Sequence, residues 1–312
     1  MQNNPKDIII ISYKKPELTI QCVESVRSGS QKEYNIIIVD NNSSDDTVEI
    51  LRSKLTNILI IENKKNFGYA AAVNIGLKNS HSGLVLISNN DVIYPAGSID
   101  KMFDFLIENN KTAIAGPQQI YPNGNWQWSW GMYPGIKLGF IDLFFISNFY
   151  KKNDQKIMKR RPELRQTREV EFIDGASMFC RRDAINSVGN FDEDYFFYTE
   201  EADLCFRVRN NGWKIVFNPQ VQITHLRGGS NNSGNFNPAN INQLVKSKIL
   251  FCRKHMSRLA SKLYRVMEIS YSFNLWMIYS IISKIKSDQE MKNKSVIMKN
   301  FFKYWSENKI NA

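Results

Sequence analysis

Four stretches of the 312-residue chain carry residues whose types and spacing could do chemistry. In "YFFYTEEADLCFR" (Tyr195–Arg207), Glu200, Glu201 and Asp203 break into aromatic and apolar residues. Thr199 can cap a helix starting there, and carboxylates suit its positive end. Asp203 can pair with Arg207 one turn on, an exposed pair worth about 0.5 kcal/mol. On such a helix Glu200 and Asp203 share a face, while Glu201 points about 100° away from Glu200. In "LVLISNNDV", Asp91 follows a buried run with Asn89 and Asn90 beside it. Such a carboxylate can hold Mg²⁺ or Mn²⁺, which would bridge a pyrophosphate and neutralise a departing phosphate; an Asn/Asp turn fits the same residues. His225 closes "VQITHLRGG" as a ligand or as a structural histidine. Trp126, Trp128 and Trp130 alternate with polar residues in "YPNGNWQWSWGMYPG". They read as an edge strand against the core or as ring platforms for sugars.

The elements that must position these residues are legible in the first half. "DIIIIS" (Asp7–Ser12), "YNIIIVD" (Tyr34–Asp40), "NILIIE" (Asn57–Glu62) and "GLVLIS" (Gly83–Ser88) are short, continuously apolar runs. Such runs fit strands covered on both faces. Helical patterns alternate with them at Pro16–Ser28, Asp45–Lys54 and Tyr69–Lys78. Repeated βαβ units predict an α/β fold with a mostly parallel central sheet flanked by helices, and ligands then collect at the carboxyl ends of the strands. A helix at Ile99–Glu108 and a strand at Thr112–Gly116 complete the regular part. Further strands are expected at Glu169–Ile173, Ser177–Arg181, Trp213–Phe217 and Val221–His225, and a helical tail from Ile241. Neither GxxxxGK[ST] nor a GxGxxG after the first strand occurs, so phosphate must be held by metal and side chains.

The net charge of +11 is uneven. Residues 241–312 hold 14 Lys/Arg against 4 Asp/Glu, Lys151–Arg168 holds 8 against 2, and the remainder is mildly acidic. The tail mixes its cations with Phe251, Trp276, Phe301 and Trp305, which suits a membrane surface or a protein partner better than a groove tracking nucleic acid. Packing of the tail as helices on the catalytic body or in a homodimer is the other reading. The uncharged run that most suggests a membrane span, Ile269–Ser283, is short for one. With no signal peptide and four scattered cysteines (Cys22, Cys180, Cys205, Cys252) reading as buried thiols, the sequence predicts a cytoplasmic protein.

Taken in order, "IIIISYKKPELTIQCVESV", "IIIVDNNSSDDTVEIL", "NKKNFGYAAAVNIGL", "VLISNNDVIYP" and "FIDGASMFCRRDAINSVGNFDEDYFFYTEEADLCFRVRNNGWKIVFNPQVQITH" resemble the family 2 glycosyltransferases. The likeness covers about Asp7–Ser230 and is greatest to bacterial rhamnosyltransferase-like members that build surface polysaccharides such as O-antigen. It implies the GT-A fold over residues 1–240, a nucleotide-sugar half to about 118 and an acceptor and catalytic half from 119, with residues 241–312 as a basic amphipathic tail. By the same resemblance Ser12, Tyr13, Glu17, Asp40, Asn42, Asn66, Gly68, Asn74 and Asn90 would contact the nucleotide sugar. Asp91, with Asn89 and His225, would hold Mg²⁺ or Mn²⁺. Trp126, Trp128, Trp130 and Asp174 would meet the acceptor. Glu201 would be the catalytic base, Glu200 its secondary partner, and Asp203 structural through Arg207. Asn89 and Glu201 both stand where Asp is common in the family.

The activity so implied is metal-dependent inverting transfer from a nucleotide sugar to a glycan on a polyprenyl-diphosphate carrier, peripheral to the inner face of the membrane. dTDP-rhamnose is the favoured donor, and a UDP-sugar (galactosyl, galactofuranosyl or glucosyl) the alternative. A sugar-1-phosphate nucleotidyltransferase lacks its Gly-rich, basic N-terminal loop here. A non-enzymatic basic module for nucleic acid or membrane would leave the polar strand ends without a purpose.

Overall fold

Ile8–Ile11 are all buried, which a strand achieves only when both faces of its sheet are covered. The computed structural model describes residues 6–144, 162–227 and 237–308, so most of the basic stretch Lys151–Arg168 and the Gly-rich run after Arg227 lie outside the described residues. The chain forms two compact units. Of the described residues, 6–132, 162–196 and 200–227 belong to the first, and 133–144, 197–199 and 237–308 to the second.

The first unit opens with the expected alternation: β1 (Lys6–Ser12), α1 (Pro16–Ser28), β2 (Tyr34–Asp40), α2 (Thr47–Lys54), β3 (Leu59–Glu62), α3 (Tyr69–Lys78) and β4 (Leu84–Asn89). β5 (Val92–Ile93), α4 (Ser98–Glu108) and β6 (Thr112–Ile120) follow. The strand predicted to stop at Gly116 runs on past Pro117 because β11 supplies its partner residues as far as Ile120. Of the tryptophan segment only β7 (Trp130–Gly131) is strand, paired with β9 (Phe172–Ile173), and a single bridge joins Trp126 to Ile120. β8 (Arg168–Glu169), β10 (Ser177–Arg181), α6 (Arg182–Asn186), α7 (Glu200–Asn210) and β11 (Lys214–His225) complete the unit. The two runs expected at Trp213–Phe217 and Val221–His225 are one strand, its register slipping between Asn218 and Gln222.

The sheet order is β3-β2-β1-β4-β10-β6-β11-β5, with β8 beside β11. β1 to β4 are parallel, β10 lies antiparallel between β4 and β6, and β11 is parallel to β6. The core interleaves Ile8, Ile10, Val23, Leu86, Phe103 and Phe179. Cys22, Cys180, Cys205 and Cys252 are buried free thiols, as expected. Burial pushes Cys22 up to about 12, so it remains a thiol at neutral pH.

The second unit holds α5 (Ile136–Leu143), α8 (Pro238–His255), α9 (Arg258–Lys286) and α10 (Gln289–Glu307). Each tail helix has a side-chain cap: Asn237 accepts from the Asn240 amide, Ser257 from Ala260, and Asp288 from Glu290 and Met291. Ile241, Val245, Ile249, Cys252, Tyr264 and Trp305 form its core. Trp305→Ala should cost about 3–5 kcal/mol of this unit's stability, since a fully buried ring leaves a cavity. Urea unfolding followed by circular dichroism measures it, and a loss under 1 kcal/mol would contradict the packing.

Candidate active site

Strands β1, β2, β4, β6 and β11 deliver their carboxyl-terminal residues to one edge of the sheet, and α7 begins beside them. Past β4, Asp91 is buried, and its carbonyl accepts the Leu226 amide, which pins it next to the end of β11. There the Asp91 carboxylate oxygen Oδ1 stands 3.3 Å from His225 Nε2. On the other side of the ring, His225 Nδ1 lies 2.8 Å from Gln119 Oε1. An amide oxygen only accepts, so Nδ1 presents a proton to Gln119 and Nε2 is the ring atom that faces Asp91. Two donors of one small divalent ion, each about 2.1 Å from it and at right angles, stand about 3.0 Å apart. The pair therefore fits Mg²⁺ or Mn²⁺. No group of three His, Cys, Asp or Glu side chains that could hold a metal occurs among the described residues. The remaining coordination positions would fall to substrate oxygens and water, the usual arrangement for Mg²⁺. Asn89 is half-buried, its carbonyl accepting from the Ser88 hydroxyl.

A polar network runs from this pair. Gln119 Nε2 donates to Asp174 Oδ1 at 3.0 Å, which also accepts the Ala176 amide. Gln127 Nε2 donates to the His225 carbonyl, and Arg227 Nε donates to Gln127 Oε1. The Gln119 amide donates to the Ser129 hydroxyl. The polar residues between the tryptophans thus build the site wall. Trp126 is buried and serves packing, so it presents no open ring face, in contrast to the platform expected. Trp128 and Trp130 are half-buried and meet edge to face with centroids 5.2 Å apart, and the Arg168 guanidinium lies 4.3 Å from the Trp130 ring.

The Asp174–Gly175 turn leads to the acidic helix. The Tyr69 hydroxyl donates to the Gly175 carbonyl at 2.8 Å, and a Cβ at Gly175 would lie 3.8 Å from Glu201 Cβ. Glu201 is half-buried, whereas Glu200 is buried. Burial, then the neighbouring Glu201, hold the Glu200 carboxyl well above its usual value of 4.5. Thr199 does not cap the helix in the expected way: Tyr198 and Thr199 have φ of +69° and +70°, not the extended backbone of an N-cap. Consecutive left-handed residues of these types store strain, which in folded proteins clusters at functional sites. Asp203 is fully buried and faces Arg207, not the site, so the exposed helical pair expected is instead a buried one.

The nucleotide-side residues divide into two groups. Tyr13, Glu17, Asn42 and Asn66 are exposed or half-buried around the ends of β1 and β2. Ser12, Asp40, Asn74 and Asn90 are buried and engaged with the protein. Asp40 accepts the Ser43 amide and hydroxyl, and burial raises its carboxyl above the usual range. Asn90 donates to the Thr19 hydroxyl, itself 3.0 Å from Ser12 Oγ. Asn74 donates to the Phe191 carbonyl and Glu193 and accepts the Phe191 amide, holding the chain that leads into the acidic segment in place of closing over a nucleoside. Gly68 (φ +88°) permits contact with that chain, because a Cβ there would meet the Phe196 carbonyl at 2.4 Å. Sequence reasoning missed Gln119, Gln127, Tyr69 and Asn41. Asn41 follows β2 and ties Asn63, Asn66 and the Gly68 carbonyl together. Its place at a strand end was the available signal. A cavity of about 340 Å³ lies at the opposite, amino-terminal ends of β1, β2 and β3, and its Asp7 is engaged by Asn35 and the amides of His81 and Ser82.

A family model described as Glycosyl transferase family 2 matches residues 7–189. N-acetylglucosaminyl-diphospho-decaprenol L-rhamnosyltransferase of Mycobacterium tuberculosis is 26% identical over 235 residues, covering 72% of this chain and 76% of that protein. O-antigen biosynthesis protein RfbC of Myxococcus xanthus is 23% identical over 235 residues, which is 74% of this chain but 18% of the relative. Among solved structures, the mannosyltransferase PcManGT of Pyrobaculum calidifontis in complex with GDP-Man and Mn²⁺ has a TM-score of 0.62 at 12% identity, covering 97% of this chain and 86% of its own. GalNAc-T7 with UDP, GalNAc and Mn²⁺ has a TM-score of 0.55 at 12% identity, covering 80% and 51%.

Proposed function

The chain belongs to glycosyl transferase family 2, and on that premise we propose that it transfers rhamnose from dTDP-rhamnose, with inversion, to a lipid-linked glycan in surface polysaccharide synthesis. The observation that carries this reading is the Asp91–His225 pair, joined through Gln119 and Asp174 to the turn that packs on Glu201. The relative named as a rhamnosyltransferase and the O-antigen protein support the sugar and the setting. The structural neighbours solved with Mn²⁺ support the cation.

A divalent ion on Asp91 and His225 would neutralise the diphosphate leaving group. Tyr13, Glu17, Asn42 and Asn66 border the nucleoside. Glu201 accepts the proton of the acceptor hydroxyl as that oxygen bonds to the anomeric carbon. The bond from this carbon to the diphosphate breaks on the opposite face, so configuration inverts and a nucleoside diphosphate leaves. Burial and the neighbouring Glu201 favour the neutral form of Glu200, which limits the negative charge beside the base.

A thermal-shift and hydrolysis screen of dTDP- and UDP-sugars with Mg²⁺ and Mn²⁺ tests the donor. Selective turnover of a UDP-sugar would replace rhamnose with the alternative donor. Asp91→Ala should abolish cation-dependent binding of the diphosphate while the melting temperature stays within a few degrees, because the backbone contact to Leu226 survives. Unchanged cation dependence by calorimetry would remove Asp91 from the site. His225→Ala should cost less, since water can replace one neutral ligand.

A further inference from the structure

Helix α9 is inside out. Its buried side carries Ser261, Tyr264, Glu268, Tyr271 and Ser272 among Met267 and Leu275. Ser261 donates to the Cys252 carbonyl, Ser272 to the Glu268 carbonyl, and Lys248 stands 3.9 Å from Glu268. Its exposed side carries Leu259, Leu263, Val266, Phe273, Met277, Ile278, Ile281 and Ile285. At 3.6 residues per turn these fall within an arc of about 140° and extend along about 39 Å of helix. Leu259 and Ile285, at its two ends, are 78% and 77% exposed. A water-facing helix ordinarily places such residues on its packed side, so a continuous apolar row on the open side marks a contact surface.

The charges identify what would meet it. Arg258 and Lys262 lie at one end of the helix, Lys284 and Lys286 at the other, and all four are exposed. No exposed Asp or Glu lies on α9, since its one acid, Glu268, is buried. Arg265, between the ends, is taken by the carbonyls of Trp305 and Ser306. Beside the row, Trp276 stacks on Phe302 at 5.7 Å and Lys299 lies 5.7 Å from the Trp276 ring, an aromatic and lysine grouping of the kind found at membrane interfaces. Two copies of α9 laid together, parallel or antiparallel, would bring cation against cation at both ends. No helix among the described residues is long and apolar enough to cross a membrane.

We propose that α9 lies in the plane of an anionic membrane surface, with Leu263, Val266, Phe273, Met277 and Ile281 inserted below the headgroups and Arg258, Lys262, Lys284 and Lys286 on the lipid phosphates. The surface goes beyond the transfer reaction and needs neither donor nor acceptor, so its failure and the failure of that reading are separately visible. The test is co-sedimentation of the full chain with phosphatidylcholine vesicles, with and without phosphatidylglycerol. Binding should be at least about tenfold stronger with the anionic lipid, two or more cations being involved. Val266→Glu with Ile281→Glu should abolish it at an unchanged melting temperature. Lys284→Gln with Lys286→Gln, a milder change that leaves the apolar row intact, should weaken it several-fold and only on anionic vesicles. Absence of wild-type binding to anionic vesicles overturns the proposal, as does wild-type binding by the Lys284→Gln, Lys286→Gln protein. A wild-type dimer in sedimentation velocity that the glutamate substitutions split, with no vesicle binding, would assign the face to a second copy instead.

Discussion

Glu201→Gln is expected to slow sugar transfer by at least about a hundredfold while donor affinity stays within about twofold. A positioned general base contributes about 10²–10⁴-fold, and the amide keeps the size and hydrogen bonding of the carboxylate without its capacity to accept a proton. Position argues for this residue over its neighbours. Glu201 is half-buried against the Gly175 turn, Glu200 is buried with its carboxyl held well above 4.5, and Asp203 faces Arg207. Initial rates and calorimetric donor binding measure the two quantities. Near-normal transfer by Glu201→Gln, with Glu200→Gln dead, would move the base by one residue.

Glu200 gives a separate expectation in pH. Its folded-state pKa is raised, so burying the neutral acid costs nothing extra below 4.5 and increasingly destabilises the fold as pH rises above it. Glu200→Gln removes that penalty. The variant should be more stable than the parent at neutral and alkaline pH and indistinguishable from it at pH 4, by thermal melting across pH. A constant difference across pH would show that the buried carboxyl does not titrate as its surroundings require.

The parallel half of the fold was legible because its strands are apolar along their whole length. Tyr34–Asp40, Pro16–Ser28 and Tyr69–Lys78 are the strand and helices expected, to the residue. The rule that ligands gather at strand ends also singles out Asp91 and His225, which are 134 positions apart in sequence and 3.3 Å apart in space. What periodicity could not supply was the partner of each polar group. Gln119 lay hidden behind Pro117, which reads as a strand stop although β11 carries the strand on. Asn74 was expected at the nucleoside, but its amide fits the two backbone groups of Phe191, a contact 117 residues away that no local pattern encodes. The tail reads as amphipathic and basic, but sequence alone could not show that the apolar side of α9 is exposed.

Asp203→Ala should destabilise the first unit by about 3–5 kcal/mol, far more than the 0.5 kcal/mol of an exposed helical pair. Asp203 is fully buried, and its Oδ2 accepts from Arg207 Nε at 2.7 Å. Arg207 also donates to the Val188 carbonyl at 2.6 Å and to Asn190 at 2.8 Å, fastening α7 to the turn at Gly189 and Asn190, where φ is +84° and +62°. Removing the carboxylate leaves a guanidinium with only carbonyl dipoles around it. Removing the guanidinium strands a buried anion, so Arg207→Ala should cost at least as much. Asp203→Asn retains an oxygen for Nε and loses only the charge, so it should fall between the parent and Asp203→Ala. The turn continues into Phe191, which Asn74 holds, and then into the segment before Glu200, so activity should fall in proportion to the folded fraction. Urea unfolding of the three variants, with transfer rates normalised to folded protein, separates this role from catalysis. An Asp203→Ala enzyme that unfolds like the parent yet transfers no sugar would place Asp203 among the reacting groups.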